Sequence, residues 1–214
     1  MKMLFVADLH YTLKQFDWVM ANATKYDPII IGGDLLDLSS ALDPDIQIAV
    51  IEKYLYRLLQ ETRVVVCSGN HDLDSRNAAG EAVAGWLYDA KAANLFLDGI
   101  SVELSGALLT ICPWWDGAVS RAEVEAELAL PAGMIKRPWI WVYHAPPAGS
   151  AVCWNGRKFV GALHPCHFQV GVDLDASMLF WQIKLVQQRV GRRASGPNQC
   201  KTCNRSTVAQ CYLS

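Results

Sequence analysis

The stretch RVVVCSGNHD, Arg63 to Asp72, opens as an apolar run and closes on polar groups. Val64 to Cys67 is a short, unbroken apolar segment, the form taken by a strand buried inside a sheet. Asn70, His71 and Asp72 then stand at the mouth of that strand.

The same ending recurs along the chain. LFVAD runs into Asp8 and His10, IIIGGD into Asp34 and Asp37, and WIWVYH into His144. Segments of helical period lie between the first three strands. LKQFDWVMANATKY places Leu13, Phe16, Val19 and Met20 on one face. DPDIQIAVIEKYLYRLLQ offers Asp43 as a cap, Pro44 for its first turn, and a stripe of Ile48, Ile51, Tyr54, Leu55, Leu58 and Leu59 that fits a core. A further helix is predicted around AAGEAVAGWLYDAKAA, residues 78–93, and another at SRAEVEAELAL, residues 120–130. Between them LFLDG, SVELSG and ALLTICPWW read as short strands with Gly-marked turns, an added antiparallel portion. Alternating strands and helices predict an α/β fold with a largely parallel central sheet. In such sheets ligands bind beyond the carboxyl ends of the strands, so the four polar endings should converge on one crevice.

Bulk properties set the frame. At 214 residues and 52% apolar, the chain suffices for one substantial core. It has no run of roughly 18 apolar residues and no signal-peptide pattern, so a cytoplasmic protein without a membrane partner is expected. The seven cysteines are an odd number, and Cys67 and Cys112 lie in strand-like runs, which argues against a disulfide framework. Residues 1–175 carry 13 Lys and Arg against 21 Asp and Glu, whereas residues 176–214 carry six basic residues and no acidic one. The acidic body does not suit a polyanion, so nucleic acid is not the expected partner.

Asp, His and Asn without thiolate form an oxygen and nitrogen donor set suited to Mn, Fe, Zn or Ni. Asp34, on a Gly-Gly turn that lets the backbone come close, has two oxygens with which to bridge a pair of cations. Ions held roughly 3.5 to 4 Å apart clamp the attacking and leaving oxygens of an in-line displacement and acidify water. That chemistry points to phosphoester hydrolysis.

DLH, GGDLLD, GNHD and YHAPP, in this order, resemble the calcineurin-like metallophosphoesterase superfamily over about residues 1–160. A lone D-x-H is common by chance and GNHD alone suits a turn; the joint order of the blocks carries the resemblance. It implies a sandwich of two mixed β-sheets flanked by helices, holding two divalent metal ions. By position, Asp8 and His10 would hold one ion, Asp34 would bridge, and Asn70 and His144 would hold the second. His71 resembles the family's catalytic histidine, outside the ligand set, and Asp72 is expected to fix its tautomer and raise its basicity. Asp37 would orient neighbours. The implied reaction is hydrolysis of a phosphomonoester or phosphodiester by a metal-bound hydroxide, with a small phosphoester as partner.

Trp114 and Trp115 in CPWWDG fit packing better than a substrate wall, and Trp139 and Trp141 point to one face of their strand.

The pattern breaks after YHAPP. The family's G-H-x-H block does not occur, and the H-x-x-H of His164 and His167 in ALHPCHF does not reproduce it. QVGVDLDASMLFWQ suits a strand, whereas the basic segment after it shows no period and is expected to be poorly ordered. Its Cys200 and Cys203, with Cys211 and Cys166, make only a weak zinc pattern. Residues 1–160 are therefore expected to be the domain and 161–214 an atypical segment, truncated, rearranged or read in an altered frame relative to an intact relative. The alternative function is a catalytically impaired homologue acting as a binding module or having no activity.

Overall fold

The computed structural model describes residues 2–90, 92–104, 106–129 and 139–144, and beyond them the backbone of five strands. The first strand, β1 (Lys2–Ala7), is followed by α1 (Leu13–Asn22), β2 (Ile29–Gly32), α2 (Pro44–Leu58) and β3 (Val64–Cys67). Both β2 and β3 are buried along their whole length. β1 pairs with β2 and β2 with β3, in parallel. After a small hairpin of β4 (Ser75–Arg76) and β5 (Ala82–Val83) and the short α3 (Gly85–Asp89), β6 (Leu95–Phe96) joins β3 in parallel.

The second sheet is built from β7 (Ile100–Leu104), β8 (Ala107–Ile111) and, after α4 (Ala118–Leu128), β9 (Trp139–Tyr143). β7 and β8 are antiparallel, β8 and β9 parallel. A separate hairpin pairs β10 (Ala151–Trp154) with β11 (Arg157–Val160). The backbones of β12 (Gln169–Leu174) and β13 (Ser177–Phe180) extend the second sheet, and β14 (Thr207–Tyr212) lies antiparallel to β1.

Alternation along the strands explains the layering. Leu4, Val6, Ile29, Ile31, Val64 and Val66 face the helices and pack with Phe16, Val19, Ile51, Leu55 and Leu58. Met3, Phe5, Ile30, Val65 and Cys67 face the other way, against Leu109, Ile111, Ile140 and Val142 of the second sheet. Successive residues of one strand thus feed two cores, a period of two inside continuous apolar runs. Each buried Ile or Val contributes roughly 1.5–3 kcal/mol to this sandwich. Trp139 and Trp141 share a face, their ring centroids 5.2 Å apart, and the Trp139 indole donates to Thr110 Oγ1 at 2.9 Å.

Two local expectations change. The helix predicted over residues 78–93 shortens to α3, because the segment before it folds into the β4–β5 hairpin with Gly80 at φ +80° in its turn. In α1, Phe16 and Val19 are buried, but Leu13, at the first position of the helix, is 37% exposed and stays out of the core. In α2 the Asp43 carboxylate accepts the Asp45 N–H at 2.9 Å, and Pro44 occupies the first turn, as expected. Among the described residues no helix is long and apolar enough to cross a membrane.

Candidate metal centre

The loops that follow β1, β2, β3 and β9 meet at one end of the sandwich. Backbone bonds lock the first two together: Asp8 N–H donates to Gly33 O at 3.2 Å, His10 N–H to Asp34 O at 2.9 Å and Tyr11 N–H to Leu35 O at 2.8 Å. Asp8, His10 and Asp34 all adopt positive φ, at 55°, 42° and 56°. Left-handed backbone at non-glycine residues costs free energy and concentrates at functional sites. The ends of β2 and β3 approach so closely that a Cβ on Gly69 would collide with the Asp34 carboxylate, and one on Gly33 would lie 2.7 Å from His144 Nδ1.

Asp34 is the centre of the pocket. Its Oδ1 accepts the His71 N–H at 3.0 Å. Its Oδ2 lies 3.6 Å from His10 Nε2 and 3.4 Å from His144 Nε2. Asp8 Oδ1 lies 3.9 Å from His10 Nε2 and 4.0 Å from His144 Nε2. Ligand atoms that share one ion at about 2.0–2.2 Å stand roughly 3–3.6 Å apart, so these spacings come close to a coordination shell. Two metal-capable groups result, Asp8 with Asp34 and His144, and His10 with Asp34 and His71. Asp34 belongs to both. Asp8 is as near to His10 as to His144, and His10 faces His71 across 4.6 Å between ring centroids.

Burial shapes the charges. Loss of water raises Asp8 to about 7, with His144 pulling it down and Asp34 pushing it up. The same burial acts to raise Asp34, but His144 and His71 hold it below the usual carboxylate range. Burial would lower His144; the Asp34 contact and the charges of Asp34 and Asp8 overcome it and lift the imidazole to about 9. His144 Nδ1 meets Gly32 O at 2.7 Å, which directs Nε2 at the two carboxylates. His71 is lowered, chiefly by burial, with His10 and His144 adding to it against the pull of Asp34 and Asp37.

Asp72 does not do what its position suggested. Its carboxylate accepts four backbone N–H groups, those of Asp34 and Gly69 at Oδ2, both at 2.8 Å, and those of Leu35 at 2.8 Å and Leu36 at 3.0 Å at Oδ1. Completely buried, it fastens the β2 and β3 loops together and leaves His71 to another partner. That partner is the Leu38 N–H, 3.4 Å from Nδ1. Asp37 turns its carboxylate to Ser39, accepting from the N–H at 2.9 Å and the hydroxyl at 2.5 Å.

Gln47 is a residue the sequence did not single out. Buried on α2, it accepts the Asp37 N–H at 2.9 Å and donates to Asp37 O and Leu42 O at 3.1 and 3.0 Å, fixing the loop beside His71. A lone glutamine amid an apolar helical stripe is the only sign of it. His164, His167, Cys166, Cys200 and Cys203 lie outside the described residues, as does the side chain of Cys211.

The model of the family described as calcineurin-like phosphoesterase matches residues 1–149, a span that contains every loop of this pocket. The chain belongs to the calcineurin-like phosphoesterase family. No curated protein matches the sequence. One crystal structure is similar over 71% of this chain and 71% of its own, at 12% sequence identity and a TM-score of 0.45, a likeness too slight to argue from.

Divalent metals are the general cofactors of calcineurin-like phosphoesterases, and the pocket of this one fits such ions. Asn70 Oδ1 is buried with no hydrogen-bonding partner among the described residues. The carboxylates of Asp8 and Asp34 and the imidazole of His144 are almost wholly buried, a donor set that suits a hard or borderline cation.

Proposed function

We propose that the chain hydrolyses a small phosphomonoester or phosphodiester with two divalent ions, of Mn, Fe, Zn or Ni, held by Asp8, His10, Asp34, Asn70 and His144. The observation that supports this best is the membership of Asp34 in both metal-capable groups. Ions held there supply Lewis acidity toward phosphoryl oxygens and acidify water.

The protein's own groups have distinct tasks. Asp34 and Asp8 provide the negative charge that retains cations, and Gly32 O aims His144 Nε2 at them. His71 is the hydrogen-bond donor that stabilises the leaving-group oxygen. With Nδ1 accepting the Leu38 N–H, the neutral ring carries its proton on Nε2. Its pKa is lowered, chiefly by burial, so the ring that faces the leaving oxygen is the neutral one and offers a hydrogen bond from Nε2 in place of a transferred proton.

The test is turnover of an aryl phosphomonoester and an aryl phosphodiester by folded protein supplied with Mn. Release of phenol from either supports the assignment; none from either, with metal bound, overturns it. The sequence contains no G-H-x-H, which favours a second reading, a family member that binds metal weakly and turns over little. Elemental analysis separates the two: two retained ions fit the enzyme, and none or one fits the impaired form.

A further inference from the structure

The paired tryptophans after β8 are not equivalent. Trp114 presents its ring to His144, centroids 5.7 Å apart at an interplanar angle of 63°, while Trp115 lies under the Arg121 guanidinium at 5.5 Å. Trp115 is thus engaged by α4, and Trp114 belongs to the metal pocket. Both are half-buried, so the Trp114 indole keeps surface for another group.

The Trp114 loop is fixed from several sides. Trp114 N–H donates to the buried Ser68 Oγ at 2.8 Å, and Ser68 N–H donates to Asp98 Oδ1 at 2.9 Å. Two carboxylates then latch the loop to the β4–β5 hairpin in opposite senses. Asp116 Oδ2 accepts the Ala82 N–H at 2.9 Å, and Glu81 accepts the first-turn N–H groups of Val119 and Ser120 on α4 at 2.8 and 2.7 Å. A half-exposed indole held this firmly beside a buried histidine is a preorganised surface, which loses little entropy when a flat group stacks on it. The half-buried His71, whose Nδ1 accepts the Leu38 N–H at 3.4 Å, belongs to the same pocket through its own N–H, which donates to Asp34 Oδ1.

We propose that Trp114 is an aromatic wall of the substrate pocket and that the phosphoester carries an aryl or heteroaromatic group stacked against it. This rests on the reading of the pocket as a phosphoester site. The Trp114 indole lies against His144 at the border of the charged centre, so an aromatic substituent meets the indole while the phosphoryl group meets the polar residues. Stacked or edge-on aromatic contacts add selectivity beyond area burial alone.

The test compares binding of phenylphosphonate and methylphosphonate to the Mn-loaded full chain by calorimetry, in native protein and in Trp114→Ala and Trp114→Phe, with circular dichroism to check folding. Native protein should prefer the phenyl compound by about 10-fold, a ratio of the order expected for one aromatic contact. Trp114→Phe should keep most of that preference, and Trp114→Ala should bring the two within about 2-fold. A native protein that binds the two equally, or neither, overturns the proposal, as does a preference that survives in Trp114→Ala. Should the alanine variant fail to fold, a Trp114→Leu variant that keeps the full preference overturns it in the same way. A phenyl preference without ester turnover leaves the wall standing and removes the hydrolase assignment; equal turnover of phenyl and methyl esters with equal phosphonate binding does the reverse.

Discussion

Asp72 Oδ2 accepts the backbone N–H of Asp34 at 2.8 Å, although 38 positions of sequence that include the whole of α2 separate the two residues. A carboxylate from the end of β3 thereby fixes the backbone of the residue at the centre of the metal pocket. Burial and the nearby Asp34 charge push Asp72 up to about 7, and the amides it receives pull it back toward the ionised form.

Asp72→Ala should therefore be a stability variant first. Removing the carboxylate leaves buried N–H groups unpaired, at a cost of about 3–5 kcal/mol. Urea denaturation measures this directly. A variant with unchanged stability and only an altered pH dependence of turnover would return Asp72 to the role of orienting His71.

Gly69→Ala should damage the pocket without touching a donor atom. The new methyl meets the Asp34 carboxylate and approaches the Asp34 nitrogen to 2.5 Å, so the β2 and β3 loops must part. A destabilisation of about 1–3 kcal/mol is expected, together with weaker Mn binding by calorimetry. Native-like affinity in this variant would show that the loops have room the structure does not give them.

Asp98, which accepts the Ser68 N–H behind the Trp114 loop, gives a pH dependence of stability. Burial raises its carboxyl to about 7, with Ser68 pulling it down, and its Oδ2 makes no hydrogen bond among the described residues. Because the folded value lies above the unfolded one of about 4, the folded state holds the proton more tightly. Its contribution to stability is present at low pH and is lost as pH rises through about 7. Asp98→Asn does not titrate, so its melting temperature relative to native should rise between pH 5 and pH 8. A difference that stays constant over that interval would place the carboxyl in a more polar setting.

Much of this was legible in the sequence because burial on both faces leaves a plain mark. The short apolar runs at Ile29–Gly32 and Val64–Cys67, each followed by turn-forming residues, carry the mark of interior strands, and the polar residues that follow them fall beyond the strands' carboxyl ends. What was not legible depends on distances between segments far apart in sequence. The hairpin at residues 75–83 is held by Asp116 and α4, so local helix propensity around Glu81 lost to a tertiary contact. Asp72 next to His71 suggested a side-chain pair, whereas its carboxylate turns inward to amides of the other loop. Nor does any sequence period reveal that Asp8, His10 and Asp34 share a left-handed backbone.

The central claim is that the pocket around Asp34 grips divalent ions. Equilibrium dialysis against Mn followed by elemental analysis, on native protein and on Asp34→Asn with folding checked by circular dichroism, tests it most directly. Native protein should retain metal and the folded Asn variant should lose it, since Asp34 belongs to both metal-capable groups. Folded native protein that retains no Mn, or an Asp34→Asn variant that retains as much as native, would contradict the account.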